Sequence, residues 1–508
     1  MVNQSAPRPN SSYMPWPLIA GLVFALAGLG IAPFVGLSIG EPLGFGSGRL
    51  PWPLVLAGVF LSGWLPWWLL MPNWRRVRPI GGAAAGVLAA TLSYPVVLGL
   101  YEAIGGTLGL TDTGGAAGVQ WVAWVALLGL MTTGFALAMS FAVVGGVAAW
   151  LLAAYVRPRQ VAPSSPKGAG KRFLRTARRL ALGAALVLVV GLTGSFIVLS
   201  RMPIPVAGLA ARASPSVPAR TYEQATEAFS QVRAEEAGED LDDRCLSKLM
   251  SHGGRTRIAV VFFHGLTSCP AQGEALANSL FARGYNVYLP RMYGHGEADP
   301  ETLSLASLTA EHLVDLANQS TDLAQGLGDR VVVVGLSAGG TITTWIAQYR
   351  RDVFLAIPVS PFLGPYIVPP WANTAATNLL LQLPNMMFWV NPLAPVSAPN
   401  TGYAFVRPST HTLGQVMRLG EAVLNEAARA PPAGNRISVL LNQADVAVNN
   451  RLTEQLVARW RSRGGAVSVH ELEFSSLLPH DLINPYEIFG DTDLVYSIIA
   501  GMIDSAPQ

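Results

Sequence analysis

The stretch Val331-Val332-Val333-Val334-Gly335-Leu336-Ser337-Ala338-Gly339-Gly340 decides the fold of the second half of this chain. Its four valines predict a buried strand and the run after it predicts a helix, which puts Ser337 at a tight strand-to-helix turn. Gly335 and Gly339 give that turn its steric clearance, and the helix N-terminus favours negative charge that develops nearby. Gly-x-Ser-x-Gly alone is a weak signal in a chain with 52 glycines. A glycine-rich turn with an idle serine is therefore the alternative.

On either side of this turn, short β-branched runs alternate with amphipathic helical segments. The alternation predicts parallel strands that are covered by helices on both faces and joined by right-handed crossovers. The segment 361–410 is rich in Pro, Trp and Leu, breaks the alternation and is predicted to be a cap insertion. The predicted strands are 257–263, 285–289, 331–335, 353–359, 436–442 and 466–473. The predicted helices are 271–283, 307–327, 338–350, 413–428, 452–464 and 491–504.

Two polar residues follow the last two predicted strands, Asp445 after one and His480 after the other. A serine hydroxyl becomes a nucleophile only when a base takes its proton, and the base needs an orienting carboxylate. Because parallel strands end at a common edge, we predict a catalytic triad of Ser337, His480 and Asp445. The plainer alternatives are a helix N-cap for Asp445 and a loop role for His480. Asp481 is a rival acid, but it adjoins the histidine and is poorly placed to reach the far side of the ring.

Two backbone N–H groups are needed to hold an oxyanion beside the serine. Ala338, which follows the nucleophile, is predicted to supply one of them. The loop after the first strand is predicted to supply the other from Leu266, with Gly265 allowing a close turn. His264 in the same loop and His295 in a Gly-His-Gly turn are predicted to be structural.

Together these residues resemble the monoglyceride lipase-like and carboxylesterase-like branch of the α/β-hydrolase superfamily. The resemblance covers about 245–504 and leaves residues 1–200 outside it. It is carried by His264-Gly265-Leu266-Thr267, Gly284-Tyr285-Asn286-Val287, Pro290-Arg291, Gly294-His295-Gly296, Gly335 to Gly340, Asp445 and His480-Asp481.

The resemblance implies an α/β-hydrolase fold with a mostly parallel sheet and a cap insertion that sets substrate choice. It also implies a serine hydrolase with Ser337 as nucleophile, Asp445 as acid, His480 as base, and Leu266 and Ala338 as oxyanion donors. No cofactor is implied. No metal is expected, since His and Cys do not cluster at ligand spacing.

The predicted reaction is cleavage of carboxylic esters through an acyl-enzyme, with lipid-derived or other acyl esters as substrates. Trp371, Met387 and Trp389 in the predicted cap are candidates for the lining of an acyl pocket, and contact with lipid or a place in the buried core are the alternatives. A peptidase, amidase or thioesterase on the same triad is the alternative enzyme. A non-catalytic membrane scaffold is the alternative outside enzymology.

The first part of the chain has a different composition. Residues 1–200 carry 13 Lys and Arg against 3 Asp and Glu, a net charge of +10. The remainder carries 21 against 28, a net of −7, and the two add up to the +3 of the whole chain. A bilayer core is crossed by roughly 20 apolar residues in a helix. Five apolar runs meet this length, at about 15–37, 51–72, 79–101, 121–155 and 179–200.

Basic residues set the predicted topology of these five spans. Three arginines follow the second run, and the connection 157–179 holds eight Lys or Arg, so both connections are predicted to be cytoplasmic. The intervening loop 102–119 has two acidic and no basic residues, which makes the long fourth run one crossing rather than a hairpin. The first run is too long for a typical cleaved signal sequence. The N-terminus is thus predicted to be cytoplasmic and the catalytic domain extracytoplasmic.

The predicted organisation is an N-terminal all-α transmembrane bundle at 1–202, a linker and lead-in at 203–250 and the catalytic domain at 251–508. The lipid bilayer is the predicted partner of the first domain. Nucleic acid is disfavoured as a partner, because the basic residues sit in short loops between apolar runs. Ionisable residues are absent from the middle of the spans, which argues against a transporter.

The two cysteines, Cys245 and Cys269, both lie in the second half of the chain. In an oxidising compartment they can form a disulfide that braces the oxyanion loop. Such a bridge contributes about 3 kcal/mol to stability in the chain-entropy model. Two unpaired buried thiols are the alternative.

Overall fold

The structure is a computed structural model, and the chain divides into two compact units with a boundary between Ser195 and Phe196. Most of the described residues belong to the second unit. The structure describes residues 60–62, 64–66, 84–85, 88–89, 191, 193–212, 217–299, 302–382, 384–385, 408–487 and 489–506.

A seven-stranded sheet organises the second unit, with the strand order β1-β3-β2-β4-β5-β6-β7. β1 runs antiparallel to β3, and every other neighbouring pair is parallel. All six predicted strands are present, and β1 is an additional edge strand. The strands are β1 Lys248–Met250, β2 Thr256–Phe263, β3 Asn286–Leu289, β4 Gly328–Leu336, β5 Leu355–Val359, β6 Ile437–Asn442 and β7 Val467–Leu472.

Helices cover both faces of this sheet because its central strands are apolar on both sides. Val331 and Val333 of β4 pack in the core on one face, and Val332 and Val334 pack in the core on the other. This burial explains why β4 is a continuous valine run rather than an alternating one. The helices described in residues 203–506 are α1 Ala207–Ala211, α2 Tyr222–Glu236, α3 Glu274–Phe281, α4 Ala310–Leu327, α5 Ala338–Tyr349, α6 Asn373–Gln382, α7 Thr410–Ala427, α8 Asn450–Ser462 and α9 Thr492–Asp504.

The two layers of helices are unequal. α3 and α9 supply buried residues to one core, and α2, α4, α5, α7 and α8 supply them to the other. Full burial of an aliphatic side chain contributes about 1.5–3 kcal/mol, so these two cores stabilise the sheet from both sides. The predicted α/β-hydrolase fold with a mostly parallel sheet is confirmed by this arrangement.

The predicted five-span transmembrane bundle is wrong as a description of the fold. In the part of the chain that the structure describes, no helix combines the length and the apolar character that a membrane crossing needs. A crossing requires one continuous apolar helix, whereas the 18-residue helices α4 and α7 each carry three charged residues. Hydropathy counts apolar residues in a run without testing whether one continuous helix forms there. Most residues of the five predicted runs lie outside the described residues.

The segment predicted as linker and lead-in packs onto the sheet and its helices. Leu209 of α1 is fully buried in the core. Glu236 at the end of α2 is 4% exposed and accepts hydrogen bonds from the backbone N–H of Ser247 and from Arg291 Nε. This buried carboxylate therefore ties α2 to the loops that flank β1 and β3.

Helices α6 and α7 lie in the connection between β5 and β6; α6 falls within the predicted cap 361–410, and α7 corresponds to the predicted helix 413–428. The side-chain amide of Asn378 in α6 donates to the carbonyl oxygens of Leu199 (2.9 Å) and Met202 (2.8 Å). The described part of the predicted cap is thus attached to the chain that enters the domain. Residues 383 and 386–407 of this connection lie outside the described residues.

Candidate active site

The turn between β4 and α5 holds Ser337 in a strained conformation. Its φ is 56°, a region that non-glycine residues rarely adopt, and it immediately precedes the first residue of α5. A Cβ on Gly339 would lie 2.0 Å from the carbonyl oxygen of Phe263, so the turn can approach β2 this closely only with glycine there. Ser337 therefore occupies the strand-to-helix turn that the sequence predicts.

Neighbouring β5 fixes this turn from the other side. The Ser337 N–H donates to the carbonyl oxygen of Val359 (3.0 Å), and the Ser337 carbonyl oxygen accepts from Phe362 N–H (3.0 Å). Both hydrogen bonds involve the backbone of the serine. They hold its backbone and leave the side-chain hydroxyl for chemistry.

Asp445 and His480 are brought into direct contact from the loops after β6 and β7. His480 Nδ1 and Asp445 Oδ2 are 2.6 Å apart, the length of a charge-assisted hydrogen bond. Asp445 Oδ1 accepts from the backbone N–H groups of Ala447 (2.8 Å) and Val448 (3.2 Å). With Nδ1 bound to the carboxylate, Nε2 is the ring nitrogen left to accept or donate a proton.

Burial and charge act in opposite directions on this pair. Burial by itself raises the pKa of Asp445, but the His480 ring and the two backbone donors outweigh it and hold that pKa below its usual value. Burial likewise acts to lower the pKa of His480, and the Asp445 carboxylate outweighs it and raises that pKa above 6.5. The pair is therefore arranged to stabilise a proton on the imidazole.

The loop after β2 approaches the serine. A Cβ built on Gly265 would lie 3.9 Å from Ser337 Cβ, so the two backbones are close neighbours. His264 Nε2 accepts from Met292 N–H (3.2 Å), which assigns the ring proton to Nδ1, and Nδ1 donates to the Gly265 carbonyl oxygen (2.8 Å). That bond orients the peptide plane shared by Gly265 and Leu266, and a trans peptide points its N–H opposite to its C=O.

The predicted oxyanion donors are the backbone N–H groups of Leu266 and Ala338. Within the described residues, neither Leu266 N–H nor Ala338 N–H has a hydrogen-bond acceptor. The Leu266 carbonyl oxygen lies within hydrogen-bonding distance of His295 Nε2. Burial lowers the pKa of His295 to about 4, so this ring is neutral at ordinary pH. Both histidines therefore bond to backbone carbonyl oxygens of this loop, in agreement with the predicted structural role.

One contact near the site carries no signal in the sequence. Gln272 Oε1 accepts a hydrogen bond from Gly265 N–H (2.8 Å), and Gln272 Nε2 donates one to Asp481 Oδ2 (2.8 Å). The partners are 7 and 209 residues away along the chain. Only the fold brings them together, and no spacing rule would find the bridge.

The structure describes one of the three predicted pocket residues. Trp371 is 65% exposed and packs edge-on against Phe196, with ring centroids 5.3 Å apart. Met387 and Trp389 lie outside the described residues. The lining of the acyl pocket by these three residues stays a prediction.

Cys245 and Cys269 form a disulfide, and both cysteines are fully buried. The bond joins the turn before β1 to the loop after β2, so it braces the segment that leads from Leu266 to Gln272. Among the residues that the structure describes, no three His, Cys, Asp or Glu side chains are grouped to hold a metal ion.

Comparison with known proteins relates this domain to hydrolases. Residues 254–474, less than half of the chain, match the family model described as Hydrolase_4, serine aminopeptidase, S33. The thermostable monoacylglycerol lipase of Bacillus sp. (strain H-257) is 28% identical over 103 residues, which are 20% of this chain and 40% of that protein. The pyrethroid hydrolase of Sphingobium wenxiniae is 27% identical over 129 residues, 24% of this chain and 44% of that protein.

The chain spans less than half of the length of these two curated relatives. Among solved structures, the monoacylglycerol lipase of Paleococcus ferrophilus is similar at 17% identity with a TM-score of 0.38, covering 51% of this chain and 98% of that one. Residues 254–474 are therefore similar to serine hydrolases of the lipase and esterase type, and the strand order is that of a mostly parallel α/β sheet.

Proposed function

We propose that this α/β-hydrolase domain is a serine hydrolase that cleaves carboxylic esters through Ser337, His480 and Asp445. One observation carries the proposal. A buried carboxylate makes a 2.6 Å hydrogen bond to an imidazole at the same sheet edge as a serine held at positive φ. A carboxylate that orients a histidine in this way fixes its tautomer and stabilises the imidazolium that forms during acyl transfer.

In the first step, His480 Nε2 takes the proton of the Ser337 hydroxyl as its oxygen attacks the acyl carbonyl. The negative charge that develops on the carbonyl oxygen is held by the N–H groups of Leu266 and Ala338. Donors of this kind act on the transition state more than on the ground state, so they accelerate the chemical step. The imidazolium then protonates the leaving alcohol, and an acyl-enzyme remains on the serine.

In the second step, water replaces the alcohol. His480 takes a proton from the water, the hydroxide attacks the acyl carbonyl, and Ser337 leaves with the proton that the imidazolium returns. Asp445 keeps its negative charge throughout and balances the charged ring. Each step conserves protons within the site, and the net reaction is ester plus water to acid plus alcohol.

Lipid-derived or other acyl esters are the substrate class that we propose. The Bacillus relative is named a monoacylglycerol lipase, and the Sphingobium relative is named a pyrethroid hydrolase. An apolar acyl pocket lined by Trp371, Met387 and Trp389 would suit such substrates.

A second candidate function is hydrolysis of amides or peptides on the same residues. The matching family model is described as a serine aminopeptidase, which favours testing this reaction. An amine is a poorer leaving group than an alcohol, so the two reactions differ in how strongly they need proton donation from His480. The thiol of a thioester is the best leaving group of the three.

A fluorophosphonate probe tests whether the domain is an enzyme. We expect the probe to label the wild type and to leave Ser337→Ala unlabelled, with hydrolysis reduced by about 10⁴-fold or more. No labelling of a folded wild type would leave a non-catalytic scaffold as the better account, and labelling that survives Ser337→Ala would assign the nucleophile to another residue. A panel of p-nitrophenyl esters of rising acyl length, aminoacyl p-nitroanilides and acyl thioesters then ranks the three reactions by kcat/KM.

The disulfide supports an oxidising, extracytoplasmic location for this domain. Disulfides persist in such compartments and are rare where thiols are kept reduced. Maleimide labelling of unfolded protein taken directly from cells should find no free thiol before reduction and two after it. Two free thiols before reduction would contradict this location.

A further inference from the structure

Gln272 is a buried side chain that the mechanism above does not use. It is 5% exposed and lies in the short 3₁₀ turn Pro270–Gly273, directly after the oxyanion loop. Its backbone N–H donates to the carbonyl oxygen of Cys269 (3.0 Å), and Cys269 is itself tied to Cys245 by the disulfide. The backbone of Gln272 is therefore held by a hydrogen bond to a residue that the disulfide fixes in place.

The end of the side chain connects two loops that lie far apart in the sequence. Oε1 accepts from the Gly265 N–H (2.8 Å) in the oxyanion loop. Nε2 donates to Asp481 Oδ2 (2.8 Å), in the residue after His480. One planar amide thus spans the loop with the predicted oxyanion donor and the loop with the predicted base.

A side-chain amide satisfies both contacts at every pH. The backbone N–H needs an acceptor and the carboxylate needs a donor, and the two atoms of one amide supply them in a single orientation. A carboxyl of the same shape can accept from Gly265 but can donate to Asp481 only while it holds a proton. An aliphatic side chain of similar size would leave the buried N–H of Gly265 without a partner.

We propose that Gln272 is a positioning residue that sets the distance between the oxyanion donor Leu266 and the general base His480. The inference rests on the proposed function, because it assigns Gln272 to the alignment of that reaction. An error of about 1 Å in such an alignment costs on the order of 100-fold in rate, so a short and rigid connection between the two loops matters for turnover.

Gln272→Glu is the informative variant. It places a carboxyl against Asp481, and two carboxyls at hydrogen-bonding distance share one proton instead of both ionising. The other charged groups around Asp481 are His480 and Glu487, with Asp445 behind the ring. At acidic pH the shared proton restores the bridge, and at alkaline pH two negative charges push the loops apart.

The measurement is kcat of the variant divided by kcat of the wild type at each pH, after each profile is corrected for the fraction of His480 that is neutral, because a new negative charge beside Asp481 also shifts the ionisation of that ring. From about pH 5 to about pH 9 we expect this ratio to fall by on the order of tenfold for Gln272→Glu, with KM changing little. For Gln272→Leu we expect a ratio that is low and does not vary with pH.

Gln325→Glu is the matched control. Gln325 is half-buried, and its Nε2 donates to the carbonyl oxygen (2.7 Å) and to Oδ2 of Asp352, at the end of α4 away from the site. The same chemical change there should leave the ratio near one at every pH.

The outcomes separate the two proposals. A wild type that hydrolyses nothing in a Ser337-dependent way removes the proposed function, and the inference falls with it. An active wild type with a Gln272→Glu ratio that stays flat with pH overturns the inference alone, whether the ratio is near one or uniformly low. A ratio that falls with pH in Gln272→Glu but not in Gln325→Glu supports the inference.

Discussion

Asp445 is a buried charge with both carboxylate oxygens engaged. One oxygen faces the His480 ring, and the other accepts two backbone N–H groups. A buried carboxylate is costly unless it is paired and hydrogen-bonded, and here both conditions are met. Its orientation is consequently fixed before any substrate arrives, so the histidine needs no reorganisation during turnover.

Replacing Asp445 by Asn should remove the charge while keeping the shape. The backbone bonds favour the amide oxygen on their side, so the NH₂ group faces Nδ1 and imposes the wrong tautomer on His480. We expect kcat to fall by about 10³–10⁴-fold. Asp491→Asn is the control, since Asp491 only caps α9 through Leu494 N–H and Asn is an equally good cap. Circular dichroism of both variants checks the fold, and a folded Asp445→Asn with full activity would refute the role.

The pH dependence of kcat/KM should report the same pair. His480 works as a base only when it is neutral, so activity rises as pH increases through its pKa. Because Asp445 raises that pKa above 6.5, we expect half-maximal activity above pH 6.5. In Asp445→Asn the burial of the ring is opposed only by the weaker effects of Asp481 and Glu487, so the pKa of His480 falls and the residual activity should have its midpoint at lower pH. An unchanged midpoint would mean that another group controls the profile.

At the scale of elements, the β4–α5 turn depends on close backbone contact. A Cβ on Gly339 would lie 2.0 Å from the carbonyl oxygen and 2.5 Å from the carbonyl carbon of Phe263, in the middle of the sheet. Backbone atoms of a central strand cannot yield as the end of a flexible side chain can. The glycine is therefore a requirement of the turn.

We expect Gly339→Ala to destabilise the domain by about 3 kcal/mol or more, since overpacking against fixed backbone is among the most costly substitutions. Gly501→Ala in α9 is the matched control, because a Cβ there meets nothing within 4 Å. An exposed glycine-to-alanine change in a helix should stabilise by about 0.5–1 kcal/mol. Urea unfolding measures both, and equal effects in the two variants would contradict the packing argument.

The elements most open to prediction from sequence are those with long buried patterns. The valine run of β4 and the loops that hold Asp445 and His480 follow from periodicity and from the rule that parallel strands end at one edge. The three-residue edge strand β1 escapes prediction, because Lys248–Met250 is short and only partly buried. The bridge by Gln272 cannot be predicted from the sequence for another reason, because both of its hydrogen bonds depend on tertiary packing.

The transmembrane prediction rests on the length of apolar runs and on the charge of their connections, and the structure does not support it. The runs in residues 1–200 meet the length rule and their connections meet the charge rule, yet neither rule tests backbone hydrogen bonding along the run. In the described residues, no helix meets the requirements of a crossing. Local patterns therefore predicted the α/β domain well, whereas the transmembrane bundle that they predicted before it is not supported.

At the scale of the whole molecule, the domain begins earlier than its first long strand. The lead-in contributes Leu209 to the core, Glu236 to a buried network with Arg291, and Cys245 to the disulfide. The ion pair between Arg212 and Asp315 fastens the same segment to α4 (2.6 Å). A domain boundary drawn at 251 would cut through these contacts.

Two fragments test where the folded unit starts. We expect 196–508 to fold and to form the disulfide. The fragment 251–508 lacks β1, α2 and Cys245, and loses about 3 kcal/mol from the disulfide alone. Because single domains are stable by only about 5–15 kcal/mol, we expect this fragment to be partly unfolded or aggregated. Size-exclusion chromatography and urea unfolding give the comparison, and equal stability would show that the lead-in is dispensable.

The order of strands in the sheet also matches the order in which the ribosome makes them. β4, β5, β6 and β7 stand side by side in the same order as they occur along the chain, with Ser337 at the end of the first and His480 beyond the last. On a translating ribosome, the serine turn emerges well before its base does. Under the proposed function, a nascent chain that ends before β7 therefore holds the serine without its base, and hydrolysis has to wait for the last parallel strand.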